Sequence, residues 1–435
     1  MIQSSIQPCA ARQPWFVPIA GAAAFSAYFA MYAFRKPLAA ATFMDAGGWD
    51  FPIDYKSCLL IAQVIGYAFS KMIGIRVVAE LTHERRALAI CSLVGSAWLA
   101  LVLFAILPAP WNIAAIFCNG LPLGMIWGLV FSYLEGRRTT DLLSAILCSS
   151  FIISSGVVKS VAAGLMGLGI SEWWMPAATG ALFFPILLVS VFSLDSLPPP
   201  SPAEQAERVA RTPMQRADRI AYLRNNAAVV LLLLLGDVAL TALRDFRDNF
   251  AAEIWMELGY RNTAPLFSAS EVPVALAALA GLGMLMLIRD NYRALIATHA
   301  IIILSALLLA GATFAFSAHW IDGIAWMILT GIGLFLAYAP FSSILFDRVI
   351  ATVGKAGNAG FLIYLADTFG YFGSVGLLLY RSLVRDGMRW LPFYINCTYV
   401  AAAIVAVCTL CSALLFMHKH KSRAAGALYS SASAR

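Results

Sequence analysis

Long apolar segments alternate with short polar connections along almost the whole chain of 435 residues. Twelve of these segments are about 20 residues long, which is the length that an α-helix needs to cross a bilayer. They predict helices because an α-helix satisfies its backbone hydrogen bonds without water. The predicted spans are 15–42, 57–78, 87–107, 111–134, 141–168, 173–194, 227–256, 271–288, 294–317, 321–346, 356–381 and 392–417.

The longest polar stretch lies in the middle of the chain, where it begins DSLPPPSPAEQ, and it separates six predicted helices from six. We therefore predict four parts of the chain. They are an N-terminal six-helix bundle (1–194), a central cytoplasmic loop (195–226), a C-terminal six-helix bundle (227–417) and a cytoplasmic tail (418–435).

The two halves repeat each other. The fourth predicted helix ends GLPLGMIWGLVFSYLEGRR, and the tenth reads GIGLFLAYAPFSSILFDRV, with the same order of glycines, aromatics, acid and arginine. The first helix carries YAFRKP and the seventh carries TALRDF, so Arg35 and Arg244 correspond. Parallel six-helix repeats with a site at the bilayer midplane are typical of secondary transporters.

Composition agrees with this pattern. Apolar residues make up 61% of the chain, charged residues 12%, and the mean hydropathy is +0.80. A soluble protein carries about a quarter charged residues, so this chain is predicted to be an all-α integral membrane protein. Its net charge of +7 is explained by basic loops rather than by binding to nucleic acid.

The basic residues also predict an orientation. If both termini and the central loop lie on one side, the loops of that side hold about 19 Lys and Arg residues. This bias predicts cytoplasmic termini in the plasma (inner) membrane. The opposite loops are expected to hold about five basic residues, namely Lys56, Arg261, Arg381, Arg385 and Arg389.

Three predicted helices carry a polar stripe at helical spacing in an otherwise apolar sequence. Such stripes face the bundle interior or a water-filled cavity. The stripes are Tyr28, Tyr32 and Arg35 on the first helix, Asp237, Thr241, Arg244 and Asp248 on the seventh, and Tyr364, Asp367 and Tyr371 on the eleventh.

Two arginines dominate these stripes. A guanidinium does not lose its charge, and its planar fork binds phosphate or carboxylate through two hydrogen bonds. Arg35 and Arg244 are therefore predicted to clamp an anion, one from each half. Simpler roles stay open: a snorkelling Arg35, a static pair of Arg244 with Asp237 or Asp248, a lipid-anchoring Lys71, and a pair of Lys159 with Asp367.

Several motifs resemble the major facilitator superfamily, and most closely its organophosphate:phosphate antiporter branch. They are Tyr28, Tyr32, Arg35 and Lys36 in the first helix, GYAFSKM with Lys71 in the second, Arg244 in the seventh and FGYFG (369–373) in the eleventh. The chain also resembles a bacterial membrane-protein family of unknown function. The antiporter resemblance implies substrate binding by Arg35, Arg244, Lys71, Tyr28, Tyr32 and Tyr371.

The chain departs from the antiporter pattern at three places, one of which is the seventh helix, where acids crowd Arg244 in LRDFRDNF. Phe151 lies near the position of the branch's fifth-helix histidine, and Lys159 follows about two turns later. The acid–Arg-Arg signature of the superfamily is altered to AELTHERRA. We expect the charged residues at the cytoplasmic helix ends to stabilise a gate: Glu80, Arg85, Arg86, Glu135, Arg137, Asp347 and Arg348.

These observations predict a non-enzymatic secondary transporter that exchanges a small phosphorylated or carboxylated anion, without a cofactor or metal. Phosphate or protons are the expected coupling ions, with Asp237, Asp248, Asp367 and Lys159 as coupling or charge-partner residues. We expect a monomer. Two alternatives remain: a proton-coupled carrier of a polar or zwitterionic solute, and a non-transporting sensor or partner protein on the same fold.

Overall fold

The computed structural model describes residues 15–44, 47, 49–135, 139–198, 216–353, 359–385 and 387–433. Within these ranges only the backbone is described for 75–80, 83, 141, 216–220, 353, 359–360 and 421–433. Every regular element in the described ranges is helical. Eleven of the described helices are long and apolar enough to cross a bilayer. A shorter apolar helix of 17 residues precedes them, Phe16–Tyr32.

The first of two compact units comprises Met1–Ala210 and Asn262–Val272. The described residues of its sequence-contiguous part form seven α-helices and one short 3-10 helix, Pro37–Ala40. The α-helices are α1 (Phe16–Tyr32), α2 (Tyr55–Glu80), α3 (His83–Ile106), α4 (Trp111–Leu123), α5 (Ile126–Phe131), α6 (Thr140–Gly167) and α7 (Met175–Asp195).

The second unit comprises Arg211–Arg261 and Pro273–Arg435. The remaining described helices are α8 (Arg216–Asn225), α9 (Ala227–Asn249), α10 (Ala251–Glu257), α11 (Ala264–Met286), α12 (Asn291–Ser317), α13 (Gly323–Ser343), α14 (Leu345–Val353), α15 (Ala359–Val384) and α16 (Trp390–Ser433). Of these, α11 begins in residues assigned to the first unit and ends in residues assigned to the second.

Aspartates in the short connections start three of the membrane helices. The side chain of Asp54 accepts from the backbone N–H of Ser57 at 3.0 Å, and Asp322 accepts from Ala325 at 2.8 Å. Asp290 does the same at the start of α12. An N-cap carboxylate satisfies a backbone donor that the helix leaves open. These polar residues therefore mark where apolar segments begin.

The observed helices depart from the predicted spans at their breaks. The first predicted helix, 15–42, ends as an α-helix at Tyr32, and the chain resumes as a 3-10 turn at Pro37. The fourth predicted helix divides into α4 and α5, and the seventh divides at Phe250 into α9 and α10. Pro122 lies in the last turn of α4, where it removes a backbone donor and weakens the helix.

Two basic residues that were expected in the loops opposite the termini lie instead in helices. Lys56 is 1% exposed in the first turn of α2, and its Nζ donates to the carbonyl of Ala39 at 3.2 Å. Arg381 lies in the last turn of α15, with its Cζ 3.1 Å from the ring centroid of Trp390. The loop assignment of both residues is therefore wrong.

Candidate functional site

Arg35 lies at the break that follows α1, where side chains replace the missing helical donors. Asn119 of α4 donates from Nδ2 to the carbonyl of Phe34 at 3.0 Å. Gln63 of α2 donates from Nε2 to the carbonyl of Arg35 at 3.3 Å and to Oδ1 of Asn119 at 2.8 Å. Both donors are buried, and a buried carbonyl without a donor costs about 1–3 kcal/mol. This network fixes the backbone that carries Arg35.

Glycines bring α2 and α4 close enough for that network to form. A Cβ atom at Gly66 would lie 2.3 Å from the carbonyl oxygen of Phe117, and one at Gly120 would lie 2.3 Å from that of Gln63. Real Cβ contacts are never this short, so larger residues would separate the helices. The close packing therefore places Gln63 and Tyr67 against the break.

Tyr67 brings two cations together in the first unit. The Cζ atom of Arg35 lies 4.0 Å from the centroid of the Tyr67 ring, and the Nζ atom of Lys71 lies 5.6 Å from it. A cation over an aromatic face is attracted by about 0.5–2 kcal/mol. Arg35 is 8% exposed and Tyr67 3%. Two positive groups on one ring form a site that is suited to a phosphate or a carboxylate.

Tyr28 and Tyr32 lie next to each other on one face of α1, as their spacing predicts. Their rings meet edge to face with centroids 5.5 Å apart, and both are buried. The carbonyl of Tyr32 accepts the backbone N–H groups of Arg35 and Lys36, so the second tyrosine closes the helix at the break.

In the second unit, Arg244 of α9 pairs with the next residue. Its Nε and Nη2 atoms both donate to Oδ1 of Asp245, at 3.0 and 2.7 Å. The other oxygen of that carboxylate, Oδ2, accepts from the hydroxyl of Ser374 on α15 at 2.6 Å. The Arg244 and Asp245 side chains are 15% and 9% exposed.

Tyrosines and close helix packing surround this pair. The Cζ atom of Arg244 lies 4.2 Å from the ring centroid of Tyr338, and Tyr371 is an electrostatic neighbour of Arg244. A Cβ atom at Gly370, inside the FGYFG motif, would lie 2.9 Å from the side chain of Thr241. This glycine thus lets α15 approach α9 near Arg244.

The structure shows a carboxylate on Arg244 that the polar stripes do not include. The alternative of a static ion pair named Asp237 and Asp248, because residues one or two turns apart share a helix face. The structure places the adjacent residue, Asp245, on the guanidinium. The arginine side chain is long enough to fold back along the helix, which a search by spacing does not consider.

A second arginine of α9, Arg247, connects this helix to α13 and was missing from the sequence-based set. It is 2% exposed, and its Nη2 donates to the carbonyl of Met327 at 3.0 Å. A Cβ atom at Gly331 would lie 2.7 Å from the same nitrogen, so this position has no space for a side chain. In each unit, a buried polar side chain therefore donates a hydrogen bond to a backbone carbonyl, and this bond links the first and fourth membrane segments of the unit.

The four predicted coupling residues differ in environment. Lys159 of α6 is 1% exposed, and its Nζ lies 5.5 Å from the ring centroid of Phe267 in the same unit. Asp237 is buried in α9, whereas Asp248 and Asp367 are half-buried. Their coupling roles stay predictions.

The described residues that were expected at a gate lie at or just beyond helix ends, and two of them connect neighbouring helices. Arg86 donates to the carbonyl of Ser132 at 3.1 Å and lies over the Tyr133 ring, and Arg348 donates to Oδ1 of Asn291 at 2.5 Å. Among the remaining residues, Arg85 and Asp347 are exposed, Glu135 is half-buried, and Arg137 and the Glu80 side chain lie outside the described residues.

Tyr133 extends the contact of Arg86 to a third helix. Its hydroxyl donates to Oδ1 of Asp195 at the end of α7 at 3.0 Å. Burial, and next the hydrogen bond to Asp195, raises the pKa of Tyr133 above its ordinary value. The tyrosine therefore keeps its proton and its bond over the physiological pH range.

Comparison with known families places the chain. Residues 37–419 match a family of unknown function, DUF5690, and the chain belongs to this family. None of the curated proteins matches the sequence.

Solved structures share the fold over nearly the whole chain. A D-xylose–proton symporter is 12% identical with a TM-score of 0.59, covering 89% of this chain and 96% of that one. A bacterial homologue of the human drug peptide transporters PepT1 and PepT2 is 12% identical with a TM-score of 0.61, covering 92% and 99%. The nucleoside transporter NupG is 16% identical with a TM-score of 0.58, covering 93% and 99%.

The fold prediction is therefore confirmed. The chain is an all-α integral membrane protein with the twelve-helix, two-bundle architecture of the major facilitator superfamily. At these identities the similarity is one of fold. The resemblance to the organophosphate:phosphate antiporter branch stays a prediction.

Proposed function

We propose that this protein is a secondary transporter for a small organic anion, phosphorylated or carboxylated, and that Arg35 and Arg244 bind the anion. The observation that carries the proposal is an arginine–tyrosine contact in each unit. Arg35, just after α1, lies 4.0 Å from the ring centroid of Tyr67 on α2, and Arg244 of α9 lies 4.2 Å from that of Tyr338 on α13.

The unfavourable energy of a buried arginine supports a functional role. Placing a guanidinium in a membrane interior costs at least about 2.5 kcal/mol, and such residues usually mark a substrate or ion pathway. At Arg244 the pair with Asp245 offsets part of this cost, and a cation–π contact offsets about 0.5–2 kcal/mol. An oxyanion would offset more, because the guanidinium fork donates two charge-assisted hydrogen bonds to it.

The transporters with a similar fold support transport as a class of function. Their reported solutes are xylose, peptides and nucleosides, so the fold by itself favours no anion. The proposal of an anion rests on Arg35, Lys71 and Arg244. The plasma membrane location, the cytoplasmic termini, a monomer and phosphate as counter-substrate accompany it as proposals.

Flux into proteoliposomes tests the proposal. Vesicles that contain the purified protein and unlabelled inorganic phosphate, glycerol 3-phosphate or succinate should take up the labelled form of at least one of these anions. Arg35→Lys and Arg244→Lys should each slow the uptake severely, whereas Arg381→Lys, which also changes an arginine over an aromatic ring, should not. Saturable binding of the anion without flux in any vesicle would favour the sensor alternative.

The Arg244–Asp245 pair favours a second candidate, a proton-coupled carrier of a zwitterion. A carboxylate of the solute would bind Arg244, and its ammonium group would bind Asp245. Amino acids or dipeptides would then accumulate in response to an imposed pH gradient alone, and Asp245→Asn would abolish this accumulation. Anion-specific uptake that does not respond to the gradient would exclude the zwitterion carrier.

A further inference from the structure

Asp245 has the geometry of an internal counter-ion for Arg244, an inference that rests on the proposed function. Both oxygens of its carboxylate are engaged: Oδ1 by Nε and Nη2 of Arg244, at 3.0 and 2.7 Å, and Oδ2 by the hydroxyl of Ser374, at 2.6 Å. This carboxylate offers the guanidinium the same chemical group that an anionic substrate would offer.

We propose that Asp245 occupies Arg244 when no substrate is bound and that an arriving anion displaces it. Adjacent residues point about 100° apart around a helix, so Arg244 reaches Asp245 only by folding its side chain along α9. The guanidinium can therefore turn from Asp245 to an anion by side-chain rotation, while Ser374 continues to hold the carboxylate. No movement of the α9 backbone is required.

This arrangement changes the expected transport mode. Without a counter-ion, a carrier with an empty site would rarely reorient, because a bare buried charge is strongly unfavourable. Obligatory exchange would follow. With Asp245 on Arg244, this pair is neutral in the empty carrier, so reorientation without substrate and hence net movement become possible.

Binding measurements test the competition between Asp245 and the anion. We expect Asp245→Asn to bind inorganic phosphate, glycerol 3-phosphate or succinate about tenfold more tightly than the wild type, which equals about 1.4 kcal/mol. We also expect the melting temperature of the ligand-free variant to fall. Glu257→Gln is the matched control, since Glu257 accepts from the backbone N–H groups of Trp390 and Leu391. It should lower the melting temperature and leave anion affinity unchanged.

Flux measurements test the consequence for transport mode. Proteoliposomes loaded with the labelled anion are diluted into buffer with or without unlabelled anion, which reports exchange and net efflux separately. Asp245→Asn should retain exchange and lose net efflux about tenfold or more, because its empty site holds an uncompensated arginine. The wild type should show both modes.

The outcomes separate this inference from the proposed function. Unchanged anion affinity and an unchanged ratio of net efflux to exchange in Asp245→Asn would overturn the inference and leave the proposed function standing. No response of the wild type to any of the three anions would overturn both.

If Asp245→Asn does not fold, Ser374→Ala tests the same point. It removes the hydroxyl that holds the carboxylate when the guanidinium turns to the anion and changes no charge, so the apparent anion affinity should fall. Ser382→Ala, which changes another buried serine of α15, is its control. Equal affinities in the two serine variants would overturn the inference.

Discussion

Arg244→Lys is the substitution that separates the guanidinium fork from its charge. The wild-type side chain donates twice to Asp245, at 3.0 and 2.7 Å, and lies 4.2 Å from the ring centroid of Tyr338. A lysine keeps the positive charge, but its ammonium is a compact donor without a planar face. It cannot form the two parallel bonds that a guanidinium makes to a carboxylate or phosphate.

The geometry sets the size of the effect. A hydrogen bond to a charged group contributes about 1.5–3 kcal/mol, and a partly desolvated cation–π contact about 0.5–2 kcal/mol. Lysine replaces part of each contribution, so we expect a net loss of about 2 kcal/mol in anion binding. This corresponds to roughly a thirtyfold rise in Kd.

Titration of the purified variant in detergent measures this loss directly, with glycerol 3-phosphate as the first anion and inorganic phosphate and succinate in parallel. Arg381→Lys controls for an arginine-to-lysine change in the same unit. The α-helical rise places residue 381 about 15 Å along α15 from Tyr371. An Arg244→Lys protein that binds and transports these anions as the wild type does would refute the role of the fork.

Three further predictions concern the surrounding structure. Asn119→Leu keeps the side-chain volume but removes the hydrogen bonds to the carbonyls of Phe34 and Ala97. We expect the free energy of unfolding to fall by about 2–4 kcal/mol and anion binding to weaken, although Arg35 itself is unchanged. An unaltered melting temperature would show that the hydrogen bonds of Asn119 do not stabilise the backbone after α1. The pKa of Tyr133 is higher in the folded protein than in the unfolded chain, where it is about 10. Its contribution to stability is therefore complete below about pH 10 and is lost as the pH rises towards the pKa of the folded state. Between pH 9 and 12 the melting temperature should therefore fall more steeply for the wild type than for Tyr133→Phe, and parallel curves would contradict this. For orientation, a membrane-impermeant thiol reagent applied to intact cells should label Arg261→Cys but not Arg216→Cys, measured above the labelling of the native cysteines, and the reverse pattern would exclude the proposed topology.

The sequence predicts the membrane helices well because each apolar segment is a local signal of sufficient length. The breaks are less predictable, because they depend on partners that are distant in sequence. Asn119 bonds a carbonyl 85 residues earlier in the chain, and neither residue reveals this contact by its neighbours. Lys56 shows the same limit, since a lysine near a predicted helix end is usually a loop residue, yet here it donates to Ala39.

The candidate site is predictable as a set of residue types and less so as contacts. The polar stripes draw attention to Arg35 and Arg244, of which the first is buried just after α1 and the second is half-buried in α9. Helical spacing misses Asp245, because its bond to Arg244 depends on the bending of a long side chain. Tyr67 lies inside the GYAFSKM motif that identified Lys71, but its ring position over two cations becomes visible only in three dimensions.

The most direct test of anion binding by the two arginines is a thermal-shift titration of the wild type and of the Arg35→Lys/Arg244→Lys double variant. The solutes are inorganic phosphate, glycerol 3-phosphate and succinate, with xylose and uridine as neutral comparisons. A ligand that binds the folded state raises its melting temperature in proportion to the logarithm of its concentration above Kd. The account predicts that at least one anion stabilises the wild type, that the neutral solutes do not, and that the double variant loses the response. Stabilisation by a neutral solute, equal in both proteins and without any response to the anions, would contradict it.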